Sequence, residues 1–210
     1  MVSIEAGKLG RAAVLRSAVL AGILAMGWSA NDAVASVYMA TGGLTSQPIG
    51  HYEFCIARPG ECNIRPRDLR PAQLTRTAWN TIVDVNDRVN GAVKPMSDHE
   101  VYGKDEVWAY PDRGVGDCED YVLEKRRELA RAGFSLADLL ITVVRKPDGE
   151  GHAVLTVRTD RGDYILDNLS DHVKLWTHTP YRYLKRQAED NTGHWVSIRS
   201  GDNMLVSSVK

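Results

Sequence analysis

The feature that most limits how this chain can fold is a series of three β-rich runs, Leu139 to Arg145, His152 to Arg158 and Asp163 to Leu169. Pro147-Asp148-Gly149 and Thr159-Asp160-Arg161-Gly162 separate them, and both are turn sequences, so the runs form an antiparallel meander. The residues upstream follow a different period. Leu74, Ala78, Ile82, Val85 and Val89 recur at spacings of four and three, with Pro71 near the start and Gly91 at the end, which predicts one amphipathic helix. A second helix begins at Asp117-Cys118-Glu119-Asp120 and continues through Tyr121, Val122, Leu129 and Ala130. Asp117 suits its N-cap, Asp120 its first turn and Gly133 the position just past its end. Between the helices, Lys94 to Gly116 is broken by Pro95, Gly103, Pro111 and Gly114 and reads as a long surface connection, pinned by Trp108 and Tyr110. A last strand contains Trp195-Val196-Ser197-Ile198. Helices first and sheet second make the class α+β.

The first thirty-five residues read differently. Lys8, Arg11 and Arg16 precede an apolar run from Ala18 to Trp28, and small residues follow as far as Ala33-Val34-Ala35. This is the pattern of a secretory signal peptide cleaved near Ala35. The competing reading, a membrane anchor, needs about 20 apolar residues, more than this run supplies. Residues 36–210 then form a single domain, periplasmic or secreted, without stable membrane insertion. With 43% hydrophobic residues the chain can bury a core. A net charge of −1 without a basic run leaves no footprint for nucleic acid. A protein or peptide substrate stays open.

Export changes how the three cysteines are read, because an oxidising compartment favours pairing. Cys55 and Cys62 flank Pro59-Gly60, a turn that can bring their sulfurs together as a disulfide. The alternatives are two reduced thiols, or a zinc site with His51 as a third ligand, for which no fourth ligand is evident. Cys118 is left over, either a buried apolar residue or a reactive thiol. In the first turn of a helix it faces unpaired backbone N–H groups and the positive end of the helix dipole, which favour a thiolate.

If Thr159 to Gly162 make the turn, Arg158 faces Asp163 and Val154 faces Asp167. His152 and Asp167 are then diagonal neighbours on one face, roughly 7–8 Å apart along the backbone and within reach of an imidazole–carboxylate hydrogen bond. A slip of one residue would put them on opposite faces. An imidazole held by a carboxylate keeps one tautomer, takes a thiol proton and returns it to a leaving amine. Alone, His152 could be a strand-start residue and Asp167 a strand-end carboxylate. Together with Cys118 they fill three catalytic roles.

Gly116-Asp117-Cys118-Glu119-Asp120-Tyr121, Gly151-His152-Ala153-Val154-Leu155 and Ile165-Leu166-Asp167-Asn168, with Trp79, Asn86, Val89 and Asn90 upstream, resemble the bacterial transglutaminase-like cysteine proteinases. The resemblance spans roughly Leu74 to Tyr183. It implies a papain-like or transglutaminase-like fold, N-terminal helices packed on an antiparallel sheet, with Cys118, His152 and Asp167 as the triad of a cysteine peptidase working through a thioester. LapG-type members are periplasmic, clip large surface adhesins and depend on calcium through acids flanking the nucleophile. By position these are Asp117 and Glu119, and no organic cofactor is implied. Asp117, Glu119 and Asp120 should also oppose ionisation of the adjacent thiol, a repulsion that a cation would relieve. Ordinary helix capping by these acids is the competing reading.

The same triad would serve a transglutaminase or an amide-deamidating enzyme, and a non-catalytic binding module could keep the fold. Trp79, Asn86 and Asn90 are candidates for the oxyanion-hole side chain. Trp108, Tyr110, Trp176, His178 and Tyr181 could line a cleft, with core packing expected for at least half of them.

Overall fold

The computed structural model describes residues 36–199, so the expected signal segment lies outside the described residues. The elements in chain order are β1 (Thr41–Thr45), α1 (Ile49–Ala57), α2 (Arg76–Ala92), β2 (Lys94–Pro95), α3 (Asp98–Tyr102), β3 (Val115–Gly116), α4 (Cys118–Arg131), β4 (Leu139–Arg145), β5 (Gly151–Thr159), β6 (Gly162–Leu166), β7 (Lys174–Leu175), β8 (Arg182–Gln187) and β9 (Trp195–Ile198). Seven strands make one sheet in the order β1-β9-β8-β4-β5-β6-β7, antiparallel at every pairing. β2 and β3 form a separate parallel pair. This is the expected mixed architecture of the papain-like and transglutaminase-like class.

Side-chain alternation divides the sheet into two faces. Ala153, Leu155 and Val157 of β5 join Leu139, Ile141 and Leu166 in the main core, against Ile82, Val85 and Val89 of α2 and Tyr121, Val122 and Leu129 of α4. Val144, Val154, Ile165 and Tyr183 face the other way and pack with Met39 and Ile198. The β5–β6 hairpin has the register that its turn predicts, with Arg158 opposite Asp163 and Leu155 opposite Leu166.

Both long helices end for local reasons. Thr75 caps α2 by accepting the Ala78 N–H at 3.1 Å. α4 closes in a Schellman arrangement, Phe134 N–H to Leu129 O and Gly133 N–H to Ala130 O, with Gly133 at φ 98°. The expected loop from Lys94 to Gly116 is more ordered than its glycines and prolines suggest. Ser97 and Glu100 form a capping box that starts α3. Lys94 N–H and Met96 N–H bond the carbonyls of Gly114 and Gly116, which folds the connection back on itself.

Cys55 and Cys62 are joined by a disulfide with a 2.03 Å bond, and Cys118 is free. His51 does lie beside Cys55, but the disulfide leaves no thiolate for the alternative zinc site. Instead the His51 ring fills the core between Trp108 and Trp195, with centroids at 5.5 and 5.2 Å. The disulfide closes a short loop, for which chain entropy gives roughly 2–3 kcal/mol. Urea unfolding of Cys55→Ser/Cys62→Ser should therefore show a loss of about 2–3 kcal/mol against the oxidised parent, and an unchanged midpoint would refute a stabilising role.

Candidate active site

Three elements bring chemistry to one place. α4 carries Cys118 in its first turn, β5 carries His152 next to its start, and Asp167 follows the last residue of β6. His152 and Asp167 are 6% and 4% exposed, and His152 Nε2 lies 2.8 Å from Asp167 Oδ1. That bond uses one ring nitrogen and leaves Nδ1 for a reaction partner. Cys118 is partly buried, and the backbone of Ala153, the residue after His152, hydrogen-bonds its sulfur. The thiol itself donates to Glu119 Oε2 at 3.1 Å.

Asp167 is a well-served carboxylate. Burial pulls its pKa up, yet hydrogen bonds from His152, Tyr181 and the Leu169 N–H outweigh this and leave it below the ordinary value. Asn90 Nδ2 donates to the Asp167 carbonyl at 2.9 Å and, at 3.4 Å, to that of Ser170. Asn86 Nδ2 also reaches the Ser170 carbonyl, at 3.4 Å. The amide hydrogens of both asparagines thus steady the loop after Asp167, a different task from the oxyanion role considered above. Trp79 meets Tyr164 edge-on at 5.2 Å.

Lys125 is a residue that the sequence analysis passed over. It is fully buried, and its ammonium donates to Asn86 Oδ1 at 2.9 Å. Burial pulls it down to about 7, while the charges of Asp167 and Asp87 act to keep the proton. Its signal was legible: a lysine within the apolar stripe Tyr121, Val122, Leu129 of α4.

The acids at the start of α4 are in the opposite situation. Asp117 occupies the N-cap position, yet its side chain caps nothing, and its Oδ2 accepts the Asp98 N–H at 3.3 Å. Asp117 Oδ1 is buried without a partner. Asp98, Asp117 and Glu119 each offer an oxygen within 4.8 Å of the others. Asp98 is a third member that only the folded Lys94–Gly116 connection supplies. Burial, then the charge of Asp117, pushes Glu119 up to about 9. Burial raises Asp98 and Asp117 as well, with the Asp98 charge adding to the rise at Asp117. Burial first, and the charge of Glu119 second, drive the Cys118 thiol far above its ordinary value. Burial and the neighbouring acids thus both favour the protonated thiol.

Asp120 does a separate job. Its Oδ1 accepts the Ala109 N–H at 2.8 Å and pins the chain beside Trp108, while burial raises it to about 8. Its carboxyl lies over Gly116, where any Cβ would come within 2.5 Å of Asp120 Oδ2. This explains a glycine two residues before the cysteine.

Of the residues considered for a cleft, with core packing expected for at least half, Trp108 is buried and Tyr110 packs against the core. Trp176 meets Tyr183 edge-on, and His178 is exposed. Only Tyr181 meets a triad candidate, its ring 5.5 Å from that of His152.

A family model described as bacterial transglutaminase-like cysteine proteinase BTLCP matches residues 41–203. No curated protein matches the chain. Among solved structures, Legionella pneumophila LapG is 23% identical over 61% of this chain and 74% of that one, with a TM-score of 0.49. Its calcium-bound form is 21% identical over 57% and 76%, with a TM-score of 0.45, and its EGTA-treated form 21% identical over 60% and 74%, with a TM-score of 0.49.

Raised carboxyl pKa values set the pH dependence of stability. Glu119 moves from 4.5 to about 9 and Asp120 from 3.8 to about 8. Their neutral forms favour the folded chain, so the stability these two acids contribute is full below about pH 4 and is lost as pH rises towards about 9. In chelator, the urea midpoint measured relative to that of Glu119→Gln should fall between pH 5 and pH 9. A relative midpoint that rises over this range would contradict the burial of Glu119 in its protonated form.

Proposed function

The chain belongs to the bacterial transglutaminase-like cysteine proteinases, and from this premise we propose that it is an exported cysteine peptidase with Cys118, His152 and Asp167 as its triad. The observation that carries the reading is the buried His152–Asp167 pair, bonded at 2.8 Å, beside a thiol in the first turn of a helix. His152 Nδ1 takes the thiol proton, and the sulfur attacks the peptide carbonyl. The tetrahedral oxyanion is received by backbone N–H groups at the start of α4, which have no partner within the helix. Collapse of the intermediate leaves a thioester as His152 protonates the leaving amine, and water then releases the acid. Asp167 fixes the imidazole tautomer and stabilises its charged form.

Asp98, Asp117 and Glu119 fit a hard dication, because the set is all oxygen, crowded and partly unsatisfied. Bound calcium would supply positive charge beside the thiol and remove the repulsion that opposes its ionisation. In the chain itself, Glu119 holds the Cys118 S–H, and a carboxylate drawn away from the sulfur would free it for His152. Asp117 and Glu119 are thus calcium ligands in this reading, with Asp98 as a third side-chain ligand. The substrates are cell-surface or envelope proteins, a surface adhesin among the candidates. Among the described residues no helix is long and apolar enough to cross a membrane.

Comparing protein N-termini of the cell envelope with the parent chain and with Cys118→Ala tests the reading. New termini should appear only with the parent. Stable incorporation of a labelled amine into a glutamine peptide, without peptide-bond cleavage, would replace peptidase by transglutaminase. EGTA should abolish cleavage and calcium restore it, and Asp98→Asn should raise the calcium needed by about tenfold or more, the order of one lost charged ligand. Full activity in EGTA would remove calcium from the mechanism.

A further inference from the structure

Asp167 Oδ1 and Oδ2 are not held alike. Oδ1 accepts from His152 Nε2 at 2.8 Å and from the Leu169 N–H at 2.9 Å. Oδ2 accepts from the Tyr181 hydroxyl at 2.5 Å. Tyr181 follows Pro180 and immediately precedes β8. Its ring also meets the His152 ring edge-on, at 5.5 Å and an interplanar angle of 62°. One side chain therefore touches both members of the pair, through a hydroxyl on the carboxylate and an edge-to-face ring contact with the imidazole. Tyr183, two residues on, is placed differently. It is 4% exposed, packs in the second core with Val144 and Val154, and shares its hydroxyl with Thr179 at 2.8 Å.

We propose that Tyr181 is a positioning residue for the His152–Asp167 pair, setting the rotation of the carboxylate so that Oδ1 stays on His152 and covering the imidazole with its ring. A carboxylate turns about its last side-chain bond with little resistance, because that torsion is broad. Two donors on Oδ1 leave Oδ2 to choose a direction, and Tyr181 supplies it. Phenylalanine at this position would keep the ring and lose that donor, leaving Oδ2 buried without a partner. A small aliphatic residue would lose both and admit water to the pair.

The inference rests on the triad reading, so its test includes a measurement that needs no turnover. In resting protein labelled with 15N-histidine, the His152 Nε2–H resonance reports the bond to Asp167. Tyr181→Phe should shift or broaden that resonance and lower kcat about tenfold with KM nearly unchanged, the order of one hydrogen bond to a charged group. Tyr181→Leu should cost about tenfold more. An unchanged His152 resonance in a folded Tyr181→Phe variant overturns the proposal, whatever the turnover. A shifted resonance in a chain that cleaves nothing supports the positioning role and overturns the peptidase reading instead.

Discussion

A carboxylate buried inside a protein survives as an anion only where donors replace the water it has lost. Asp167 meets that condition with His152, Leu169 and Tyr181 on its oxygens, and much of the surrounding packing exists to keep those donors in place. The β5–β6 register puts Asp167 diagonal to His152. Asn90 fixes its carbonyl, and Asn86 the carbonyl of Ser170. Lys125 ties Asn86 to the helix that carries the thiol. Two helices and two strands therefore share a single electrostatic condition.

A few residues away, the condition is reversed. Asp98, Asp117 and Glu119 are crowded and short of donors, and burial drives each towards its neutral form. The helix dipole at the start of α4 favours negative charge, but three carboxyls and a thiol compete for it. The site thus holds one carboxylate kept ionised by its donors and three carboxyls that burial pushes towards the neutral form, one of them, Asp117, with an oxygen left unpartnered.

The sequence made legible whatever depends on short-range periodicity. Two turn sequences defined the β4–β6 meander, and because strand alternation has a period of two, they also brought His152 and Asp167 to one face. The spacing of Ile82, Val85 and Val89 disclosed α2 for the same reason. What stayed hidden was set by distant partners. β8 is rich in charge, and its Arg186 is buried against the sheet through an ion pair with Glu189, so its alternation does not read as apolar. Asp98 reaches Asp117 only after β2 and β3 pair. Tyr181 stood among several aromatics, and aromatic residues of core and cleft look alike until their hydroxyls find partners.

The sheet is closed by the two ends of the described chain, since β1 pairs with β9 and Ser197 reaches Gly43 across 154 positions. β4, β5 and β6 need only local turns to assemble, whereas β1 must wait for β9, the last of the described strands to be synthesised. Closing so long a loop costs entropy before any contact rewards it. The first of the described strands to emerge is thus the last of them that can be paired, and until then its edge is open to other chains. The two glycines of Thr41-Gly42-Gly43-Leu44-Thr45 make it a poor strand by itself, which lowers the risk of premature pairing during that interval.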